Sequence, residues 1–183
     1  LNQSTFSVTA KDAEKIVEKM MPVAFSKQDL MHLYFRLSEE KQMEWYPKVF
    51  PYYPDAIKVK EKPSSEEILE AVKRNNYLTI PRSFYDILSD VDLAECLFVN
   101  DYLMLKMPKE RWNPTLAVLF SQRLADNRAY YYRICVPEGC QNEMYWKNLC
   151  KADGFYYRIL PEKYQYILSE DLVLHTLQHS KSF

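Results

Sequence analysis

From Ser64 to the end of the chain, one order of residue types keeps returning. The segments SSEEILEAVKRNNYLTIPRSFYDIL, SDVDLAECLFVNDYLMLKMPKERW, NPTLAVLFSQRLADNRAYYYRICVPEGCQ, NEMYWKNLCKADGFYYRILPEKYQYIL and the incomplete SEDLVLHTLQHSKSF begin at Ser64, Ser89, Asn113, Asn142 and Ser169, at spacings of 25, 24, 29 and 27 residues. A unit this short cannot bury its apolar face alone. Neighbouring units must therefore stack into a quasi-one-dimensional array.

Each unit opens with a Ser or Asn whose side-chain oxygen can accept from the unpaired amides of a first helical turn. Ser64 and Glu67 have the spacing of a capping box, and Asn113 is followed by Pro114, a residue favoured at the first helical position. Apolar residues then recur one turn apart: Leu93, Ala94, Leu97 and Phe98, or Tyr145, Trp146, Leu149 and Cys150. That spacing lines one helical face. The helix meets Asn75-Asn76, Asn100-Asp101 or Asp153-Gly154, residue types expected to take the left-handed turn that ends helices. An aromatic follows each time, at Tyr77, Tyr102 and Phe155. After a short apolar stretch come Pro81, Pro108, Pro137 and Pro161, each placed to open a second, shorter helix. The expected fold is all-α: stacked helical hairpins forming a short solenoid or superhelical bundle.

Only two glycines, Gly139 and Gly154, occur in 183 residues. Tight hairpins, phosphate loops and dinucleotide folds all lean on glycine, so its scarcity also favours helices. Lys plus Arg is 24 and Asp plus Glu is 25, and the net charge of −1 gives no global attraction to nucleic acid or an anionic membrane. Four cysteines, Cys96, Cys135, Cys140 and Cys150, are too few for a disulfide scaffold. They sit among apolar residues, as buried thiols do in a reducing, cytoplasmic setting. No apolar run approaches the roughly 20 residues of a membrane span. The N-terminus lacks a signal-peptide pattern, and its start at Leu1 in place of Met is expected of a trimmed chain or of an excised domain.

The first third fits the period poorly. TAKDAEKIVEKMM and SKQDLMHLYFRLSEEKQMEWY read as two amphipathic helices, the second capped by Ser26, and residues 1–46 are expected to form a helical cap on the array. Residues 47–63, with prolines at 47, 51, 54 and 63, are expected to be an extended connector to the array at 64–183. Its aromatics Phe50, Tyr52 and Tyr53 would pin it down.

The segments ILEAVKRNNYLTIP and WKNLCKADGFYYRILPEKY resemble a bacterial helical-repeat domain of uncharacterised function. Its units carry an apolar Ala-Val helix, an Asn/Asp-Gly turn, a short apolar stretch, and Pro or Ser before an acidic residue. The resemblance spans roughly 64–183 and departs at SQRLADNRAYYYRICVPEGCQ, where the turn glycine is missing. It implies an all-α fold in a large, effector-like or toxin-like protein, which would act in a host cytosol if delivered there. It carries over no catalytic residue.

Chemistry-bearing side chains are sparse. His175 and His179 are four apart, as paired metal ligands on a helix can be, but HTLQH lacks the general-base glutamate and no third ligand is near. Cys135, Cys140 and Cys150 match no zinc-knuckle spacing. A cysteine nucleophile would need His32, His175 or His179 brought near it by folding. Asp90 and Asp92 read as first-turn helix charges. No cofactor is implied. YYYRI and FYYRI would instead place Tyr132 and Arg133 beside Tyr157 and Arg158, a ladder able to bind carboxylates, phosphates or bases. Alternate residues of the same segments would fill the core. The expected function is a non-enzymatic module binding a protein or peptide. The rivals are a nucleic-acid-binding array using the same ladder and a small Cys/His-dependent enzyme.

Overall fold

The computed structural model describes residues 9, 11, 12, 15, 16, 19, 32–127, 129 and 135–167. Every regular element among the described residues is helical. The chain divides into two compact units, Leu1–Pro63 and Ser64–Phe183.

In the first unit His32–Tyr34 is helical, but the helix expected to continue through Tyr46 is interrupted by a turn at 35–37. A new helix, α1 (Glu39–Val49), starts after Ser38, whose hydroxyl accepts from the Lys41 amide. Ser38 captures a start that the apolar periodicity alone runs straight through. The expected extended connector at 47–63 is largely helical too. Pro47 lies inside α1, and Pro54–Val59 is a 3₁₀-helix with Pro54 in its first turn. Trp45, Tyr46, Val49 and Phe50 are buried on both sides of Pro47, which holds the helix together across it. Phe50 stacks on Tyr46 with ring centroids 5.1 Å apart, whereas Tyr52 points into solvent and pins nothing.

The second unit alternates long and short helices. The long ones are α2 (Ser65–Arg74), α4 (Asp90–Val99), α6 (Pro114–Asn127) and α7 (Glu143–Ala152). Each begins behind the residue chosen from sequence. Side-chain oxygens of Ser64, Ser89, Asn113 and Asn142 accept from the amides of Glu67, Asp92, Leu116 and Tyr145 at 2.8–3.2 Å. Glu67 completes the capping box by accepting from the Ser64 amide at 2.9 Å. Residues four, seven and eight after each cap are buried: Ile68, Ala71 and Val72, then Leu93, Cys96 and Leu97, then Ala117, Phe120 and Ser121, then Trp146, Leu149 and Cys150. That stripe packs α2 on α4, α4 on α6, and α6 on α7. Burying an aliphatic or aromatic side chain of this kind stabilises by about 1.5–3 kcal/mol.

A short helix or 3₁₀ turn follows each proline. These are α3 (Arg82–Ile87), Lys109–Arg111, Glu138–Cys140 and Glu162–Ile167, and the proline carbonyl accepts from the amide three residues on in every case. Another short helix, α5 (Tyr102–Lys106), and the 3₁₀-helix Gly154–Ile159 fill the stretch before two of the prolines.

The residues that cap the ends of α2, α4 and α7 are not left-handed. Asn75 (φ −137°, ψ 94°), Asn100 (φ −136°, ψ 90°) and Asp153 (φ −155°, ψ 142°) are extended. Asn and Asp are present for their side chains instead. Asn75 Oδ1 accepts from the Tyr77 amide at 3.1 Å and Asp153 Oδ1 from the Phe155 amide at 2.7 Å, closing an Asx turn. Asn100, fully buried, donates to the Leu78 carbonyl at 2.9 Å and so ties the end of α4 to the end of α2.

Candidate interaction surface

Of the expected ladder, Tyr157 and Arg158 are described, while Tyr132 and Arg133 lie outside the described residues. Tyr157 is half-buried and Arg158 exposed on the 3₁₀-helix Gly154–Ile159. Its core side is supplied by Tyr156 and Leu160, four residues apart as on a helical face. The alternating burial expected of this segment does not occur, because alternation belongs to strands.

A more complete row runs past the ends of the long helices. Tyr77 and Tyr102 stand 25 residues apart, each two residues beyond a cap whose backbone angles agree within a few degrees. Tyr77 is 79% exposed and Tyr102 40%. Phe155 occupies the same place after Asp153 and is half-buried. The sequence displayed all three aromatics; what it did not display was that Tyr77 and Tyr102 face outward and Phe155 partly so, while Leu78, Leu103 and Tyr156, the next residues, turn in.

Two contacts fix the direction of the helices that carry this row. Asn113 at the start of α6 donates to Asp90 at the start of α4 (3.0 Å), and Asn100 at the end of α4 reaches Leu78 just beyond α2. Hence α2, α4 and α6 run parallel, with starts on one edge and ends on the other. Acids gather in first turns: Glu66 and Glu67, Asp90 and Asp92, Glu143. Bases gather in last turns: Lys73 and Arg74, Lys106, Lys151, Arg158. Both placements complement the helix dipole. Lys106 lies over the Tyr102 ring, 5.5 Å from its centroid.

Between these edges the helices are pinned by polar contacts. Glu95 bridges Lys73 of α2 (3.4 Å) and Arg123 of α6 (3.2 Å). Arg111 donates from Nε to the Tyr85 carbonyl (2.9 Å) and from its two terminal nitrogens to the Leu88 carbonyl and Asp90 (both 2.7 Å). Asp90 is thus more than a helix-start charge. Buried Asn148 of α7 donates to Ser121 of α6 at 3.2 Å. Beside α4 and α6, Val91, Ala94, Leu119 and Arg123 line a shallow cavity of about 190 Å³. In the first unit, Met43 and the segment Lys58–Lys62 line a broader cleft of about 860 Å³.

The thiols divide into two kinds. Cys96 and Cys150 are buried, and loss of hydration pushes both up to about 12, with Asp92 and Glu95 adding to the effect at Cys96. Neither carries the thiolate a nucleophile needs at neutral pH. Cys135, expected among buried thiols, is exposed, and Cys140 is half-buried; all four are free. His32 is exposed, and His175 and His179 lie outside the described residues. Among the described residues no three His, Cys, Asp or Glu side chains gather as metal ligands, and no helix is long and apolar enough to cross a membrane.

No protein-family model matches the chain, and neither the curated proteins nor the solved structures searched contain a match.

Proposed function

We propose that residues 64–183 form a helical repeat array whose function is to bind a protein or peptide without catalysing a reaction. One observation carries this: the same cap, the same buried stripe and the same outward aromatic recur at a spacing of 25 residues at Ser64 to Tyr77 and again at Ser89 to Tyr102. Repetition of that kind multiplies one exposed position into a row, which suits an extended binding surface. Tyrosine and arginine are common interface hot spots, because they combine large flat area with a polar tip. Tyr77, Tyr102, Tyr157 and Arg158 are the described residues assigned to contact, and Tyr132 and Arg133 join them if the ladder continues. Free cysteines are consistent with a reducing cytoplasm. Membership of a bacterial, effector-like protein rests on the sequence resemblance alone.

The repeat is tested by deleting residues 89–112, which joins Leu88 directly to Asn113. An array keeps its helical circular dichroism and a cooperative melt after losing one period; a non-repetitive domain unfolds. Binding is tested by affinity capture from the source cell with the wild-type chain, Tyr77→Ala/Tyr102→Ala and Arg158→Ala. Loss of one specific protein with the variants is expected. Identical captured sets from all three baits refute the assignment of the surface. Recovery of nucleic acid in place of protein, lost steeply as salt rises, would favour the rival reading.

A further inference from the structure

We infer that Cys135 and Cys140 are a reversible dithiol–disulfide pair, closing the six-residue ring CVPEGC when the chain meets a small-molecule disulfide such as oxidised glutathione. This goes beyond the binding reading and does not depend on it. Of the four free thiols, these two are open to a reagent: Cys135 is exposed and Cys140 half-buried, whereas Cys96 and Cys150 are enclosed in the core.

Between the pair the chain turns back on itself. The Cys140 amide donates to the Pro137 carbonyl at 2.9 Å and the Gln141 amide to the Glu138 carbonyl at 3.0 Å, so Glu138–Cys140 is a single 3₁₀ turn. The Gln141 side chain donates to the Val136 carbonyl at 2.8 Å and ties the two arms of the turn together. Cys135 and Cys140 adjoin the two ends of that tie. A turn of this kind holds its first and fourth Cα atoms within about 7 Å, and a disulfide needs Cα atoms about 4.4–6.8 Å apart. Gly139 has nothing within 4 Å of where a side chain would start, so the turn has room for the final adjustment. A second observation sets Cys135 beside the start of α7. After loss of hydration and Tyr156, the Cys135 thiolate helps to hold the buried Tyr145 phenol above its ordinary 10.0. Tyr145 lies three residues beyond the Asn142 cap and Cys140 two residues before it, so both thiols border the same helix start.

Exposed Cys135 reacts first. Its thiolate attacks one sulfur of oxidised glutathione and one glutathione leaves as a thiolate; the Cys140 thiolate then attacks the Cys135 sulfur and the second glutathione leaves. Two protein thiols become one S–S bond, one glutathione disulfide is reduced to two thiols, and the two thiol protons pass to the leaving sulfurs through water. Reduced glutathione reverses both steps, so the pair follows the ratio of the two forms. The ring is also fastened to a neighbour. The Gln141 carbonyl accepts from the Tyr164 hydroxyl at 2.7 Å and Glu138 pairs with Lys163 at 3.4 Å, which carries the change to the 3₁₀-helix Glu162–Ile167.

The test incubates the reduced full chain with oxidised glutathione, quenches with acid and maps the thiols by mass spectrometry. The expected product is a monomer with Cys135 joined to Cys140 and with Cys96 and Cys150 still thiols. A short linker such as these four intervening residues gives an effective concentration in the millimolar range, so at about 0.1 mM reduced glutathione the adduct on Cys135 should last about tenfold longer in Cys140→Ser than in wild type. Equal lifetimes in the two chains, or disulfide-linked dimers as the main product, overturn the pairing. Hydrogen exchange gives a readout that needs no variant: the Cys140 and Gln141 amides should exchange more slowly in the oxidised chain, because the ring locks a turn already formed. Faster exchange there means the turn must open before the sulfurs meet, and overturns the geometry argued above.

Discussion

Replacing Arg111 by Ala should cost about 2–4 kcal/mol of stability. The guanidinium sits between the turn before Ser89 and the start of α4, 18% exposed, and makes three hydrogen bonds at 2.7–2.9 Å. Two go to the carbonyls of Tyr85 and Leu88, and one to Asp90, whose side chain is 27% exposed. A hydrogen bond to a charged group contributes about 1.5–3 kcal/mol and leaves its partner costly to desolvate when cut. Three such bonds set an upper figure well above 4 kcal/mol. Water reaches the partly exposed Asp90 and rehydrates it after truncation, which discounts the ion-pair share toward surface values of about 0–1 kcal/mol. The two carbonyls, at about 1–1.5 kcal/mol each, supply most of the remainder. Urea denaturation followed by far-ultraviolet circular dichroism measures it. With slopes of about 1–3 kcal/mol per molar urea, the midpoint should fall by ~1–2 M.

Two controls make the reasoning refutable. Arg82 pairs with Glu110, but their side chains are 75% and 64% exposed, so Arg82→Ala should stay within about 1 kcal/mol of wild type. Arg111→Lys keeps the charge but replaces a planar fork with one ammonium, and it should recover less than half of the loss. If Arg82→Ala costs as much as Arg111→Ala, or if Arg111→Ala is neutral, burial and multiplicity are not what give this contact its strength.

The remaining expectations concern the packed helices and the buried thiols and phenols. Ser121→Ala should cost about 1–2 kcal/mol by leaving the buried Asn148 amide under-bonded, whereas Ser121→Ala/Asn148→Leu should cost less than the sum of its parts; a double-mutant cycle in urea showing strict additivity would contradict the pairing. With an aromatic disulfide reagent at pH 8, Cys135 should react first and Cys140 more slowly, while Cys96 and Cys150, held near 12, react only on unfolding; native reactivity that survives Cys135→Ser/Cys140→Ser undiminished would disprove this. Stability should also fall in alkali. Cys96, Cys150, Tyr85 and Tyr145 all have folded pKa values above their ordinary 9.0 or 10.0, so their contribution is complete below those values and is lost as pH climbs toward 12. Each proton held by the folded state and released by the unfolded one costs about 1.4 kcal/mol per pH unit, and a urea midpoint flat from pH 9 to 11.5 would rule the burial effect out.

What could be read from the sequence was what depends on near neighbours. Ser64, Ser89, Asn113 and Asn142 cap helices through amides three residues away, so residue type and spacing sufficed. Pro81, Pro108, Pro137 and Pro161 open short helices for the same local reason. Asn75, Asn100 and Asp153 were recognised as helix ends, but their extended backbones show that the side-chain oxygen or amide mattered and a left-handed φ did not. Ser38 was missed although it stands 26 residues before Ser64 and caps α1 in the same way. The four nearby prolines read as an extended linker, and buried Trp45, Tyr46 and Phe50 outweighed them. Arg111 and Asp90 were invisible as partners because 21 residues separate them.

That last failure also bears on how the surface keeps its shape. Asn100 reaches back 22 residues to Leu78, Arg111 reaches 26 and 23 to Tyr85 and Leu88, Asn148 reaches 27 to Ser121, and Tyr164 reaches 23 to the Gln141 carbonyl. Each span is close to one period. The buried stripe is apolar and non-directional, so by itself it would let one helix slide along the next at little cost. Hydrogen bonds have a narrow range of length and angle, and one buried contact per neighbouring pair removes that freedom. Cutting a pin such as Asn100 should therefore loosen the register before it unfolds the helices: Asn100→Ala should speed amide hydrogen exchange at the ends of α2 and α4 while helical circular dichroism persists, and unchanged exchange would show that apolar packing alone sets the register.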